Sequence, residues 1–178
     1  MAGTRVNKMI TTARHPSRRV TGLSHTGSTR ENEENVELKD ITHGPLSVRA
    51  PAGWRDITDE VGTENVPFTL ARGLGALQLS LGQPQSGPPR APSEQELLMM
   101  CLEIGRQRGL EAPLEHRVDQ QPQLRASVSY RADDAFVRLW TVFTGKHFVA
   151  ASYVCDWQDR DAEVMETELV VSSVRVRV

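Results

Sequence analysis

The sequence contains no uninterrupted apolar run near the ~20 residues that a membrane-spanning helix requires. It also has no surplus of either charge, because 21 basic and 23 acidic residues give a net charge of -2 over 178 residues. A cationic surface is the usual sign of nucleic-acid binding. We therefore expect neither membrane insertion nor a nucleic-acid partner, and the simplest expectation is a soluble, cytoplasmic protein.

Residue types that carry out chemistry are few and scattered along the chain. There are two cysteines and five histidines, and the histidines have neither helical i, i+4 spacing nor zinc-binding spacing to a cysteine. Cys101 lies among leucines and Cys155 ends an apolar run, so both are expected as buried free thiols. The sequence has no nucleophile elbow and no phosphate-binding loop. We therefore expect no catalytic residue, no cofactor and no metal, and a protein that is not an enzyme.

The first forty residues differ in composition from the rest. Residues 1–30 include six basic residues and no acidic one, and four glutamates follow between Glu31 and Glu37. Too little of this segment is apolar to form a core. We expect residues 1–40 to be a disordered tail, basic and then acidic, and residues 41–178 to be a single folded domain. An acid-poor, arginine-bearing leader is also typical of organelle transit peptides, which is the alternative for localisation.

The stretch from Gln123 to Cys155 predicts a β-meander of three strands. The first run, Gln123–Arg131, alternates apolar and polar residues, so one of its faces is expected in water. The second run, Ala135–Phe143, is apolar on both faces, as in a covered central strand, except at Arg138. The third run is His147–Cys155. Arg138 is expected in a partly buried salt bridge or with its head group reaching solvent, and the alternative is contact with the carboxylate of a ligand.

Shorter elements are predicted on both sides of the meander. A serine at position 93 and a glutamate at position 96 form a capping-box sequence at the start of a helix, and a glycine at position 109 ends it. The loop between Gly82 and Pro92 is rich in proline and is expected to be a flexible connector. The predicted elements are a strand over Leu46–Ala50, a hairpin of Phe68–Arg72 with Ala76–Leu81, the helix over Glu94–Arg108, a short strand over Leu114–Val118 and a final edge strand over Val174–Val178.

The segment after Cys155 predicts an amphipathic acidic helix. Four residues share one face of this helix: Ala162, Met165, Leu169 and Ser172. The acidic residues are expected on a solvated surface, which is the first interpretation, or on a docking face for a basic partner with Trp157 as its aromatic anchor. The candidate partner-binding residues are Asp156, Trp157, Asp159, Asp161 and Glu163, together with Arg138 on the meander.

These elements predict an α+β fold: a twisted antiparallel β-sheet of about six to eight strands, ending in the meander and covered by two main helices. From Leu46 to its C-terminus the chain resembles the PsbP-like superfamily. The resemblance rests on these residues: Pro51-Ala-Gly53-Trp54, the helix capped by Ser93, Arg138-Leu-Trp140 with Gly145, Tyr153-Val-Cys155 followed by Trp157, and Ser172-Ser173-Val174. It implies a sheet covered by helices that is used mainly to bind proteins, without a common catalytic motif to transfer.

The function expected from these observations is a non-catalytic protein-binding module. The resemblance favours a bacterial immunity protein or effector chaperone that masks a basic toxin or a secreted effector, as a monomer or homodimer. Two alternatives stay open. One is a small-molecule-binding or enzymatic domain with a pocket between helices and sheet, using Arg138, His147 or Tyr153 as polar contacts. The other is a structural accessory subunit of a larger complex.

Overall fold

The computed structural model describes residues 37–62, 66–82 and 90–177. Nearly all of the predicted tail, and most of the predicted connector between Gly82 and Pro92, lie outside these residues. The described residues form ten strands and two α-helices. The elements are β1 (Leu38–His43), β2 (Leu46–Pro51), β3 (Arg55–Asp56), β4 (Phe68–Ala71), β5 (Gly75–Gly82), α1 (Glu94–Gln107), β6 (Pro113–Asp119), β7 (Arg125–Ala132), β8 (Ala135–Phe143), β9 (Phe148–Asp156), α2 (Val164–Ser172) and β10 (Arg175–Val176).

Seven strands form one antiparallel sheet in the order β3, β4, β5, β9, β8, β7, β6. The predicted meander is confirmed, since β8 pairs along its whole length with β7 on one side and β9 on the other. Asp133 and Gly145 adopt positive φ angles of 53° and 82° in its two turns, which is the backbone conformation that short hairpin turns require. The predicted hairpin of β4 and β5 is also confirmed, and it joins the meander through the pairing of β5 with β9.

A second, three-stranded sheet has the order β1, β2, β10. The sequence predicted β2 and the edge strand β10, although β10 contains only Arg175 and Val176. The strand β1 was not predicted, because its residues Leu38–His43 include Lys39 and Asp40 and do not alternate. Pairing with β2 over six residues orders this segment, so long-range hydrogen bonds override a weak local pattern.

Helix α1 begins at Ser93 with the predicted capping box, in which Glu96 N–H donates to the Ser93 hydroxyl and the Glu96 carboxylate accepts from Ser93 N–H. Its buried residues are Leu97, Cys101 and Gly105. They pack against one face of the meander, where they share a core with the alternate residues Val137 and Leu139 of β8.

Helix α2 covers the opposite face of the sheet. Its residues Val170 and Val171 share a second core with Phe136, Trp140 and Val142, which are the other alternate residues of β8. Each face of β8 is therefore buried under one helix, which explains its continuous apolar sequence. The fold is α+β, with a twisted antiparallel sheet covered by two main helices, as predicted.

The predicted acidic helix begins later than the sequence indicated. Asp156 is the last residue of β9, and Trp157–Asp159 form one turn of 3-10 helix. The α-helix then starts at Val164 with Glu163 as its N-cap residue. Asp156, Asp159, Asp161 and Glu163, which were predicted on one helical surface, therefore all precede α2.

Candidate functional site: a groove beside the second helix

Three glutamates attach α2 to the large sheet and its loops. Glu163 accepts hydrogen bonds from the Tyr153 hydroxyl at 2.9 Å and from the backbone N–H groups of Leu74 and Gly75 at 3.2 and 3.3 Å. The Trp54 indole N–H donates to Glu166 at 3.0 Å, and that carboxylate also pairs with Arg72. The sequence predicted this surface to be solvated, and for these residues the prediction is wrong.

The third of these glutamates, Glu168, lies against the middle of the sheet. It accepts from the Trp140 indole N–H at 3.2 Å and forms an ion pair with Arg138 at 2.7 Å. Glu168 is half-buried, and a carboxylate partly removed from water is stable when such donors replace the lost water. The donors come from strands that are distant in sequence, so a helical pattern alone could not show which way the glutamates point.

The inward position of the glutamates leaves the other face of α2 in solvent. Met165 is 82% exposed and Leu169 is 48% exposed, whereas Thr167, Val170 and Val171 are buried. The sequence grouped Met165 and Leu169 as the apolar face of the helix, opposite a solvated acidic surface. The structure reverses this orientation, because the branched run Val170-Val171 and the N-cap Glu163 occupy the face that meets the sheet.

Met165 and Leu169 form one wall of a groove of about 620 Å³, which we call the α2 groove. The opposite wall is the edge strand β6, and the floor comes from β7 and β8. Its lining residues are Glu115, His116, Arg117, Arg125, Ser127, Arg138, Val164, Met165, Glu168, Leu169 and Ser172.

Arg138 is the centre of the groove floor. Its guanidinium donates to Glu115 at 2.7 Å, to Ser129 at 3.2 Å and to Ser127 at 3.3 Å, and it also pairs with Glu168. The prediction of a partly buried salt bridge is therefore confirmed. The same contacts bury Ser127 and Ser129, whereas Arg131 on the same face is exposed. The prediction that the polar face of β7 lies in water is therefore wrong for the two serines. A buried arginine from the neighbouring strand needs these hydroxyl groups as acceptors.

Arg125 lies beside Arg138 and pairs with Asp119 at 3.2 Å. Within the described part of the chain, three buried guanidinium nitrogens have no hydrogen-bond partner: Nε and Nη1 of Arg125 and Nε of Arg138. Unpaired buried donors are costly, by about 1–3 kcal/mol each. These nitrogens are themselves buried, and Nε of Arg125 lies 4.0 Å from the Glu168 carboxylate, so they are not open to a molecule in the groove unless the arginine side chains move.

The remaining predicted binding residues lie outside the groove lining. Asp156 and Asp161 are exposed, and Asp159 is half-buried. Trp157 is half-buried against Phe136, and the guanidinium carbons of Arg131 and Arg160 each lie 4.6 Å from the centroid of its ring. Contacts at this distance are cation–π interactions, so the indole already has partners within the chain.

Glu163 differs from the other acidic candidates because only 4% of it is exposed. A side chain buried to this extent cannot contact a partner. The predicted acidic docking face is thereby reduced to Asp156, Asp159 and Asp161, and Arg138 is not brought together with them.

Sequence reasoning missed several residues of the groove. Met165 and Leu169 were identified as apolar, but their exposure was not foreseen. Glu115 and Ser127 carried no signal, because a glutamate in a weak edge strand and a serine on an alternating strand are ordinary. The run Leu169-Val-Val171 offered the one local indication that a second face of α2 could be the buried one.

Burial keeps the Cys101 thiol and the Tyr153 phenol neutral. Burial raises the pKa of the Cys101 thiol to about 12, so this thiol is protonated at neutral pH and is not an activated nucleophile. Burial, together with the hydrogen bond to Glu163, raises the pKa of Tyr153 well above its ordinary value.

Among the described residues, no three His, Cys, Asp or Glu side chains are grouped as metal ligands would be. None of the described helices is long and apolar enough to cross a bilayer.

This chain has the PsbP-like fold, as comparison with solved structures shows. The solution structure of the cyanobacterial PsbP protein CyanoP from Synechocystis sp. PCC 6803 superimposes with a TM-score of 0.53 at 10% identity, over 84% of this chain and 98% of that one. The crystal structure of the Ran-binding protein Mog1p from Saccharomyces cerevisiae gives a TM-score of 0.54 at 10% identity, over 80% of this chain and 96% of that one. No family model and no curated protein sequence matches the chain.

Proposed function

We propose that this protein is a protein-binding module whose contact surface is the α2 groove. The observation that carries the proposal is the orientation of α2, which directs Met165 and Leu169 into solvent while its glutamates hold the helix on the sheet. Large apolar side chains that are exposed beside a groove are typical of interaction sites. Methionine and arginine are also enriched at protein interfaces.

The attachment of α2 favours binding because the surface is already ordered. Glu163, Glu166 and Glu168 each join the helix to a different donor, namely Tyr153, Trp54 and Trp140. A helix fixed in this way loses little conformational entropy when a partner binds. Charged residues at the rim, such as Arg117 and Glu115, would orient the partner and determine its selectivity.

The fold gives weaker support. Mog1p is described as a Ran-binding protein, and a shared fold at 10% identity supports a binding function only by analogy. The finer form of the proposal is a bacterial immunity protein or effector chaperone that acts in the cytoplasm and masks a basic toxin or a secreted effector. In that form, the exposed turn with Asp156, Asp159 and Asp161 is a second contact region for a basic partner, and Trp157 supports it.

The test is affinity capture from the native host with the full chain, followed by measurement of the affinity for each captured protein. The test variant carries Met165→Gln and Leu169→Gln. The matched control carries Met99→Gln and Met100→Gln, which replaces two exposed apolar residues on the other helix, α1. We expect the α2 variant to lose its partner by at least about tenfold in affinity and the α1 variant to retain it. Equal affinities of the two variants would refute the role of the groove.

A second candidate function is the binding of a small molecule in the same groove. It is favoured by the two arginines in the groove lining, Arg125 and Arg138, and by a volume of about 620 Å³, which lies within the ~300–1,000 Å³ of ordinary ligand sites. A panel of carboxylate-bearing metabolites should then raise the melting temperature, because a ligand that binds only the native state stabilises it. If no compound raises the melting temperature, the small-molecule function is refuted and the protein-binding function stands. One form of that function is an accessory subunit, whose partner would co-purify with it at a fixed stoichiometry.

A further inference from the structure

The strand β6 ends the large sheet and has only β7 as a neighbour. Its residues from Pro113 to Arg117 are all exposed. An edge strand of this kind presents backbone N–H and C=O groups that can pair with another strand. The question is which strand would fit.

The sequence of β6 is complementary to itself. In an antiparallel pair of two identical strands, a twofold axis at His116 places residue 115 of each copy opposite residue 117 of the other. Glu115 then faces Arg117 twice. Leu114 lies at a bulge between Pro113 and Glu115, so the regular pairing runs from Glu115 to Arg117 of each copy. Residues directly opposite in an antiparallel pair have Cβ atoms about 4.5–5.5 Å apart, and opposite charges at that distance attract.

Neighbouring registers lack this match. If the axis shifts to Arg117, Glu115 faces Asp119, and two carboxylates repel at that distance. An axis between His116 and Arg117 is excluded by the backbone, because it would set a residue whose N–H and C=O point toward the partner strand opposite one whose groups point away. Charges on edge strands usually prevent sheets from joining. In β6 their order disfavours the pairing centred on Arg117 and permits the one centred on His116.

The two charged side chains are held in place and remain accessible. Glu115 uses Oε1 for its bonds to Arg138 and Ser129, and Arg117 donates from Nε to Asp119 at 2.7 Å. Their side chains are still 63% and 69% exposed. The described contacts therefore leave Oε2 of Glu115 and Nη1 of Arg117 for a second chain.

We propose that the protein forms a symmetric dimer in which the β6 strands of two copies pair antiparallel about His116 and join the two large sheets into one. Such isologous contacts are the commonest form of self-association. The occupant of this edge is a second copy because Glu115 and Arg117 match each other within the strand itself. The inference does not depend on the proposed function of the α2 groove.

Sedimentation of the full chain over a series of concentrations tests the dimer. We expect a reversible monomer–dimer equilibrium for the natural sequence. Arg117→Glu and Glu115→Lys should each weaken self-association by about tenfold or more, because each variant sets like charges opposite at two symmetric places. An equimolar mixture of the two variants should dimerise again, since each altered residue then faces an opposite charge. A natural chain that stays monomeric, or variants that dimerise as well as it does, would overturn the proposal.

A cross-linking variant keeps the test independent of folding defects in Glu115→Lys, which removes a partner of Arg138. In the proposed register His116 lies opposite its own copy, so His116→Cys should form an intermolecular disulfide on mild oxidation. The natural thiols Cys101 and Cys155 are buried and do not compete. Gln120→Cys is the control, because residue 120 of each copy lies beyond the end of the paired strand. Equal cross-linking at both positions would show that the register is wrong.

Discussion

Replacement of Glu163 by alanine should destabilise the fold strongly, although sequence alone places this residue on a solvated acidic surface. The carboxylate accepts a hydrogen bond from the buried Tyr153 hydroxyl at 2.9 Å and two longer bonds from the N–H groups of Leu74 and Gly75. Alanine leaves these donors without an acceptor in a site that excludes water.

The magnitude follows from these contacts. A hydrogen bond from a buried hydroxyl to a charged group contributes about 1.5–3 kcal/mol, and the two long backbone bonds contribute about 0.5 kcal/mol each. Part of this sum is recovered, because the variant no longer buries a charge. We expect Glu163→Ala to lower the free energy of unfolding by about 2–4 kcal/mol.

Urea unfolding measures this loss. With a slope of about 2 kcal/mol/M, the midpoint should fall by about 1–2 M without a change in slope. The matched control is Asp161→Ala, since the Asp161 side chain is 85% exposed and its ion pair with Arg160 spans 3.4 Å. Such an exposed pair contributes about 0–1 kcal/mol. A double-mutant cycle with Tyr153→Phe should give a coupling of at least about 1 kcal/mol. Equal effects of Glu163→Ala and Asp161→Ala, or an additive cycle, would refute the structural role of Glu163.

Three further predictions concern the cores and α2. Gly105→Ala should lower the free energy of unfolding by about 1–2 kcal/mol despite its better helix propensity, because the added Cβ would lie 2.7 Å from Cζ of the buried Tyr130; an unchanged urea midpoint would contradict this. Burial raises the pKa of Cys101 to about 12, so the protein should lose stability as the pH rises from about 9, where the unfolded thiol ionises, toward 12; urea curves should show a smaller loss for Cys101→Ala. Met165→Gln should change the unfolding free energy by less than about 0.5 kcal/mol, whereas Val171→Ala should cost about 1–3 kcal/mol; equal costs would show that the orientation of α2 is wrong.

The elements that the sequence predicted well are those with a strong local signal. The capping box at Ser93 fixes the start of α1, because both of its hydrogen bonds join residues only three apart. The three runs of the meander are separated by turns whose residues tolerate positive φ. Period-2 alternation then determines which residues share a face, and β8 has its two apolar faces where the pattern places them.

The site was predicted less well because it depends on which face of a short helix meets the sheet. Helix α2 has nine residues, and both its Met165–Leu169 face and its Val170–Val171 face are apolar. The expectation that charged residues face water would select the first face for burial. The outcome depends on donors from elsewhere, namely Trp54, Tyr153 and Trp140, which receive the glutamates of α2.

The sequence by itself determined α1, the hairpin of β4 and β5 and the antiparallel meander, because hydrophobic periodicity, turn residues and capping act over a few neighbouring residues. The PsbP-like fold was indicated by the resemblance of a few short motifs. Only the tertiary structure decided the orientation of α2, the burial of Arg138 with the serines of β7, and the separation of the predicted acidic residues into buried and exposed groups. The physical reason is that a buried charge is stable only with partners, and here those partners come from strands far apart in the chain.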